Sequence, residues 1–387
     1  MMRGLAQAGT LDLFALRQPA HPDPEPSPIE DMGTMVVCDA VRSRPTREWL
    51  PEWARNGLPR RPIAIDWTEA RRELAAWGPR PDLVWYGFVD SWLHTHDLFP
   101  GVPAVCDFPD LENTYMRLRR RTPLRFSPGA GVGERARGGT RWLLSRGFDL
   151  VDEQRWDKVQ RRCADEVDRV VVCSSLDVGR SGCDNAVVIA NGAEVPDGVR
   201  TDRRDLAGDH PTMLFVGALA YEPNGEAVDW FVREVLPLVR ERRPDAVVRI
   251  VGRGVERVQW VADVPGVELV GPVESIRPEL DRADVSIVPI RMGGGTRLKV
   301  LEAMAHHIPM VTTTVGCEGI DLVDGVHAIF ADDARSFADG CLRLLSDKEL
   351  RQKYADDAAD LFRARYTWDS IDRSLADLAR EVVQERA

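Results

Sequence analysis

The chain of 387 residues is short of several things, and each shortage narrows what it can do. No run of 18 apolar residues occurs, which rules out a membrane-spanning helix. The seven cysteines (positions 38, 106, 163, 173, 183, 317 and 341) are scattered, odd in number and without a Cys-x-x-Cys spacing. That pattern argues against a disulfide framework and a structural zinc, and for a reducing cytosol. No Asp-x-Asp is present, so the usual carboxylate clamp for a metal-bound diphosphate is missing. Positive charge is in deficit, with a formal net charge of −11 and no basic block clear of predicted helices. This argues against a nucleic-acid partner, and with no amphipathic basic helix in view it argues against tight membrane attachment. The opening Met1-Met2-Arg3-Gly4-Leu5-Ala6 lacks the apolar stretch and cleavage site of a secretory leader, so a cytoplasmic location is expected. Lysine is nearly absent, with Lys158, Lys299, Lys348 and Lys353 alone among 51 basic residues.

What is present is a regular alternation. The length predicts two domains, each able to bury a core. From 210 onward, β-branched runs at 213–216, 247–251, 267–270, 285–289, 310–313 and 328–330 alternate with helical periodicity at 225–241, 255–262, 276–282, 297–306 and 335–345. Such alternation specifies a parallel sheet covered by helices on both faces. The first half has the same character, with strands expected at 11–16, 35–40, 83–86, 104–107, 169–173 and 187–190. Five prolines between Pro19 and Pro28 exclude helix and central strand there. Ser127 to Thr140 is glycine-rich and reads as a loop, its Gly129-x-Gly131-x-Gly133 following no strand. The polar stretch from Asp197 to Pro211 reads as an interdomain linker, and Tyr366 to Ala387 as one amphipathic helix. The expected division is 1–200, 201–365 and a closing helix over 366–387. An α/β domain ordinarily opens on its central strand and a glycine-rich turn. Here a helix end at 2–7 runs into the strand at 11–16, so either the start site is assigned too late or the first strand of the N-terminal domain is missing.

The densest signal runs from Ser286 to Ala305, where a buried strand feeds Gly293-Gly294-Gly295 and then a helix. Unpaired N–H groups and the positive end of a helix dipole suit a diphosphate there. Arg297, placed in the first turn, could add a charge-assisted contact. Leu298, Leu301 and Ala305 share one helical face, and Lys299, Glu302 and His306 another. Glu302 stands where a carboxylate could accept ribose hydroxyls; equally, Lys299 and Glu302 could be an ordinary surface pair. The turn matches neither Gly-x-Gly-x-x-Gly nor a P-loop.

In combination, Phe215-Val216-Gly217, Tyr221-Glu222-Pro223-Asn224, Ile250-Val251-Gly252, Gly271-Pro272-Val273, the 293–305 segment and Pro309-Met310-Val311-Thr312-Thr313 resemble the donor domain of retaining family 4 glycosyltransferases. More narrowly they resemble the bacterial branch with a Gly-Thr-Arg-Leu-Lys-x-Leu-Glu-Ala-Met-Ala signature, common in polysaccharide assembly. The resemblance covers about 168–370 and implies the GT-B fold: α/β, two Rossmann-like doubly wound domains facing across a cleft. It also implies a nucleotide-sugar donor, a retaining transfer and no metal or other cofactor. By position, Glu302 would bind the ribose, and Gly295, Thr296 and Arg297 the diphosphate. Gly217 would line the phosphate loop, Gly271 with Val273 would flank the base, and Gly252 is a further donor-binding candidate. The family's earlier glutamate is Gly294 here, and the Arg and Lys of its first donor-domain loop are replaced around Ala218 and Asn224-Gly225. Arg297 and Lys299 are expected to supply the displaced charge and so to serve catalysis.

In the first half, Asp107, Asp110 and Glu112 follow a predicted strand and are candidates for base chemistry or acceptor binding, with Asp110 as a helix cap the plainer alternative. His94 stands where the family often places a donor-contacting histidine, and with His96 it has metal-like spacing but no third ligand. Trp49, Trp53, Trp67, Trp77, Trp85 and Trp92 suit packing or a sugar platform. The acceptor would be a saccharide, a lipid-linked molecule or a small molecule, and a lipid-linked one would require transient membrane contact. Epimerases and phosphorylases share the architecture, but neither a histidine-rich epimerase site nor a lysine-bound cofactor site is visible. A non-catalytic homologue that only binds a nucleotide sugar is the other alternative.

Overall fold

The computed structural model describes residues 2–16, 32–38, 42–78, 80–121, 124, 131–293 and 296–386. The proline-rich stretch at 19–28, Gly129, and Gly294 and Gly295 lie outside the described residues. Two compact units emerge. One comprises Met1–Arg121, Leu143–Ala190 and Asp369–Ala387, the other Thr122–Trp142 and Asn191–Trp368.

In the first unit, β1 (Leu11–Leu16) pairs in parallel with β2 (Met32–Cys38), and β3 (Arg42–Ser43) pairs antiparallel with β4 (Ile65–Asp66). The strands β5 (Val84–Tyr86), β6 (Ala104–Phe108), β7 (Arg169–Val172) and β8 (Ala186–Val188) form a parallel sheet in that order. Tyr86, Cys106, Phe108, Val170 and Val172 meet Trp156, Val159 and Cys163 of a long helix in one buried cluster. The other helices used below are α1 (Val89–Thr95), α2 (Glu112–Arg121) and this long α3 (Val132–Glu166). The expected loop at 127–140 is therefore helical from Val132 onward. Helix growth adds one hydrogen bond per residue once a packed nucleus exists, and the buried C-terminal half of α3 supplies that nucleus. The glycines cost roughly 1 kcal/mol each, too little to stop it. A closing helix, α6 (Trp368–Arg386), is tied to this unit by Arg169, which pairs with Glu381 and Glu385, and by Arg386, which pairs with Asp168.

Among the described residues, the second unit holds a six-stranded parallel sheet. Its strands are β9 (Thr212–Val216), β10 (Val247–Val251), β11 (Val267–Gly271), β12 (Val285–Val288), β13 (Met310–Thr312) and β14 (Ile329–Phe330). Their order is β11-β10-β9-β12-β13-β14. All four residues of β12 are buried, as a strand covered on both faces requires. The order reverses between β9 and β12, so the chain crosses to opposite sides of the sheet after each. The crevice left beyond their carboxyl ends is where doubly wound sheets bind ligands. Two helices flank it: α4 (Glu222–Trp230) after β9, with Pro223 in a first-turn place that needs no N–H, and α5 (Leu298–Ala305) after β12.

Two of the expectations named above change here, and one helix is added to them. The single helix at 225–241 is an α-helix to Trp230, a π-turn over Phe231–Val235 and a further α-helix over Leu236–Arg242. Pro237 has no N–H for the regular ladder, and its ring opposes the carbonyl four residues back. The helix Lys348–Arg365 had no sequence expectation. The stretch read as a linker is anchored in the second unit. Arg203 is fully buried, donating to the carbonyls of Ala283 (2.9 Å) and His306 (2.6 Å). Arg351 donates in turn to the carbonyl of Arg203 (2.6 Å).

Candidate functional site

Three adjacent strands of the second unit end in glycine, and the backbone explains why. Gly217 donates to the Val251 carbonyl at 2.9 Å, and Gly252 to the Gly271 carbonyl at 2.8 Å, which joins β9, β10 and β11 into a bare ledge. Gly252 has φ 147°, and a Cβ there would lie 1.9 Å from the carbonyl oxygen of Gly217. Gly252→Ala is expected to lower stability by about 1–3 kcal/mol in chemical unfolding, since both the backbone angle and the contact oppose it. An unchanged midpoint would show that the ledge can move apart. Gly271, at φ 80°, ends β11, and Val273 stands exposed just beyond it.

Lys299 reaches this ledge from α5. Its Nζ donates to Asn224 Oδ1 at 2.6 Å and lies 4.2 Å from the Phe215 ring centroid. A Cβ on Gly217 would come within 2.9 Å of the same Nζ. The Asn224 amide is oriented by its own donation to the Ala218 carbonyl at 2.9 Å. So the ammonium sits on a ring and an amide, beside open backbone, at the end of the central strand. Burial, with Arg297 second, lowers its pKa to about 7, while Glu302 acts in the opposite sense. Burial raises the Glu302 pKa, against the pull of Lys299. The two are not joined as a surface ion pair; the hydrogen bond of Lys299 goes to Asn224. Asn224 and Phe215 had no assigned role in the sequence, although both lie inside its motifs.

The glycine turn itself is only partly described. Gly293 has φ 119°, and a Cβ on it would meet the Arg297 guanidinium at 3.0 Å and Pro223 at 3.3 Å. Arg297 is the N-cap of α5 and not a first-turn residue, because the helix opens at Leu298. Leu298 is 53% exposed and does not join the apolar face of Leu301 and Ala305, which are buried. Thr296 follows the undescribed pair and carries a buried hydroxyl without a hydrogen-bond partner. Behind the turn, Arg291 donates to Glu226, and its guanidinium carbon lies 4.7 Å from the Trp230 ring. That pairing clamps the end of β12 to α4, and no sequence pattern announced it. His306 caps the C-terminal end of α5, and His307 follows at φ 52°.

The candidates of the first unit separate. Asp107, in β6, is 5% exposed, and burial raises its pKa to about 7. Glu112 opens α2 and accepts from Arg61, which also pairs with Asp90 at 2.7 Å. Asp110 is exposed ahead of that helix. The ring of His94 stacks on Trp67 at 4.6 Å, and burial lowers its pKa to about 4. His96 stacks on Trp92 at 4.7 Å. Trp53 donates to Asp152 at 2.8 Å, and Trp77 lies 5.6 Å from Phe14, so these tryptophans pack. Among the described residues no group of three His, Cys, Asp or Glu side chains is placed to hold a metal ion.

This geometry has relatives. Residues 210–347 match the family model described as glycosyl transferases group 1. The phosphatidyl-myo-inositol mannosyltransferase of Mycobacterium leprae is 30% identical over 197 residues, covering 47% of this chain and 51% of that protein. The protein of the same name from Propionibacterium freudenreichii is 30% identical over 228 residues, 56% of each chain. Alpha-D-kanosaminyltransferase of Streptomyces kanamyceticus is 28% identical over 195 residues, covering 47% of this chain and 49% of that one. The chain thus spans about half the length of the curated relatives it matches. Among solved structures, sucrose-phosphate synthase from Thermosynechococcus elongatus superposes with a TM-score of 0.67 at 19% identity, covering 99% of this chain and 92% of that one. HepE of Anabaena in complex with UDP gives 0.56 at 13% identity, covering 80% of each. The chain therefore has the GT-B fold, with two Rossmann-like α/β units, and is related through residues 210–347 to the glycosyl transferases of group 1.

Proposed function

We propose that this protein is a retaining glycosyltransferase that moves a sugar from a nucleotide-sugar donor to an acceptor hydroxyl in bacterial polysaccharide or glycoconjugate assembly. The observation that carries the reading is Lys299. It is a cation held by an amide and a ring, beside a glycine ledge, at the switch point of a doubly wound sheet. The second unit takes the donor. Its diphosphate lies along Gly217 and the start of α5, met by Lys299 and by Arg297 at the N-cap. Glu302 accepts the ribose hydroxyls, and Gly252, Gly271 and Val273 border the base. The first unit takes the acceptor, with Asp107 and Glu112 its carboxylates.

The step this site favours is departure of the nucleoside diphosphate with attack by the acceptor hydroxyl on the same face of the sugar. The C1–O bond to the diphosphate breaks, a C1–O bond to the acceptor forms, and the acceptor proton passes to the departing phosphate oxygen. Charge grows on that oxygen as the bond breaks, and fixed cations and amide dipoles stabilise it without reorganising. The relatives' names, a mannosyltransferase and a kanosaminyltransferase, with UDP on HepE, set the panel: UDP- and GDP-hexoses, scored for slow hydrolysis. NMR of the released sugar should show the donor's own anomeric configuration first, and EDTA should leave the rate within about twofold, because side chains neutralise the phosphates. Inverted product, or loss of turnover in chelator restored by magnesium, would overturn the mechanism. Tight donor binding with no turnover would identify a binding homologue.

A further inference from the structure

We propose that Arg257 holds the inner phosphate of the donor, the one joined to the nucleoside, while Lys299 and Arg297 hold the outer one. This rests on the donor reading above and adds to it a residue that no sequence motif marked. Gly225, buried in α4, points to it. A Cβ at that position would lie 2.5 Å from the Arg257 Nε and 2.6 Å from its Cδ, so the arginine stem is laid directly across the helix. Alanine is the better helix former at such a place, and the close approach is what glycine allows. The turn that carries Arg257 is itself fixed. Leu219 donates to the Arg253 carbonyl at 2.7 Å, and a Cβ on Gly254 would lie 2.6 Å from the Ala220 nitrogen. The turn after β10 is thus seated on the loop after β9.

Electrostatics show what the arrangement lacks. Arg257 is exposed, and its side chain makes no hydrogen bond or ion pair among the described residues. Arg233, Arg249 and Arg291 of the same unit each meet a carboxylate. Arg257 crosses the first turn of α4, the positive end of that helix dipole, and the neighbouring residue, Asn224, carries the Lys299 ammonium. Glu222 is the acid of that turn, and neither cation is paired with it. Two cations gathered on a helix N-terminus repel each other until an anion joins them. Strand order decides which phosphate each takes. The sheet runs β11-β10-β9-β12. Arg257 follows β10, on the side of Gly252 and Gly271 that borders the base in the proposed function, and Lys299 follows β12, beyond Gly217. The phosphate nearer the nucleoside therefore falls to Arg257, whose planar fork suits two phosphate oxygens.

Calorimetry of the full chain with UDP, GDP and their monophosphates tests this. Arg257→Ala should bind the tighter diphosphate about tenfold more weakly, and the matching monophosphate by the same factor, with the ligand-free melting temperature unchanged. Lys299→Ala should lose far more with the diphosphate than with the monophosphate. Arg257→Lys should recover part of the loss, because the charge stays and the fork goes. Gly225→Ala should also cost about tenfold by pushing the guanidinium aside, yet less than about twofold once Arg257 is alanine. The new Cβ would lie 3.1 Å from the Leu219 carbonyl oxygen in both backgrounds, so that contact cancels in the comparison. Parent-like affinity of Arg257→Ala, a loss confined to the diphosphate, or an equal cost of Gly225→Ala in both backgrounds would overturn this assignment alone. A parent chain that binds neither diphosphate would overturn the donor reading and the role of Arg257 with it.

Discussion

Lys299→Ala binds a nucleoside diphosphate at least about a hundredfold more weakly than the parent chain, and the unliganded variant melts higher. Both expectations come from one arrangement. The Lys299 ammonium is taken out of water and set against the Asn224 amide and the Phe215 ring, with Arg297 adding repulsion. A cation–π contact offsets on the order of 2 kcal/mol of that desolvation. On the proposed function a diphosphate would supply the missing counter-charge, and a hundredfold in affinity is about 2.8 kcal/mol, ordinary for a desolvated charge pair. Without ligand, the lysine strains the fold. Its pKa falls from the usual 10.5 to about 7, so the unfolded chain binds the proton more tightly. The penalty is complete below pH 7 and fades as pH rises toward 10.5. The alanine variant escapes it, and each kcal/mol recovered raises the melting temperature by roughly 2–4 °C for a unit of this size.

The same titration gives binding a pH dependence. Above pH 7 the free site must take up a proton to meet a phosphate, so the dissociation constant should rise toward tenfold per pH unit. Calorimetry in buffers of different ionisation enthalpy should register proton uptake at pH 8 by the parent and none by Lys299→Ala. The pair of variants Lys299→Ala and Arg297→Ala, combined, should show no measurable binding. Near-parental affinity in that double variant would leave the donor reading without its cationic support.

Asp107→Asn should stabilise the protein at pH 8 by roughly 2–4 kcal/mol and have almost no effect at pH 4. Asp107 lies near the carboxyl end of β6, buried in a parallel sheet, and burial lifts its pKa from 3.8 to about 7. Between those values the folded chain keeps a proton that the unfolded chain releases, so stability falls as pH rises through the window. An amide of the same shape carries no charge to desolvate and removes the slope. Urea midpoints at several pH values test this, and parallel parent and variant profiles would show that the carboxylate is solvated. Retaining such a costly group fits a task at the sheet end, so turnover should drop in the variant even as stability climbs.

The second unit was legible in the sequence to within a residue or two at its strands. Val247–Val251 matches its expectation, and the other strands of that sheet shift only at their ends. Buried parallel strands are apolar along their whole length and break at glycine, so local composition suffices. The first half was as readable in its parallel strands, Leu11–Leu16 matching its expectation, but less so in its helices, which are stabilised by long-range partners, and in the two-residue pair β3 and β4. Helix α3 is the clearest case. Its first two turns are rich in glycine and arginine, and their conformation is inherited from Trp156, Val159 and Cys163 packed farther along. Arg203 is another, an arginine in a polar stretch whose burial depends on carbonyls 80 and 103 residues away.

The sequence by itself determined the fold class, the strand ends that stop at glycine, and the segment that carries Lys299 and Glu302. These follow from short-range rules: hydrophobic period, glycine at strand ends, a helix after a turn. The tertiary structure alone decided that Lys299 turns to Asn224 and Phe215 instead of Glu302, that His94 stacks on Trp67, and that Arg291 clamps Glu226. A side chain takes the partner that best offsets its loss of water, and which partners are within reach is fixed only when distant strands and helices have packed.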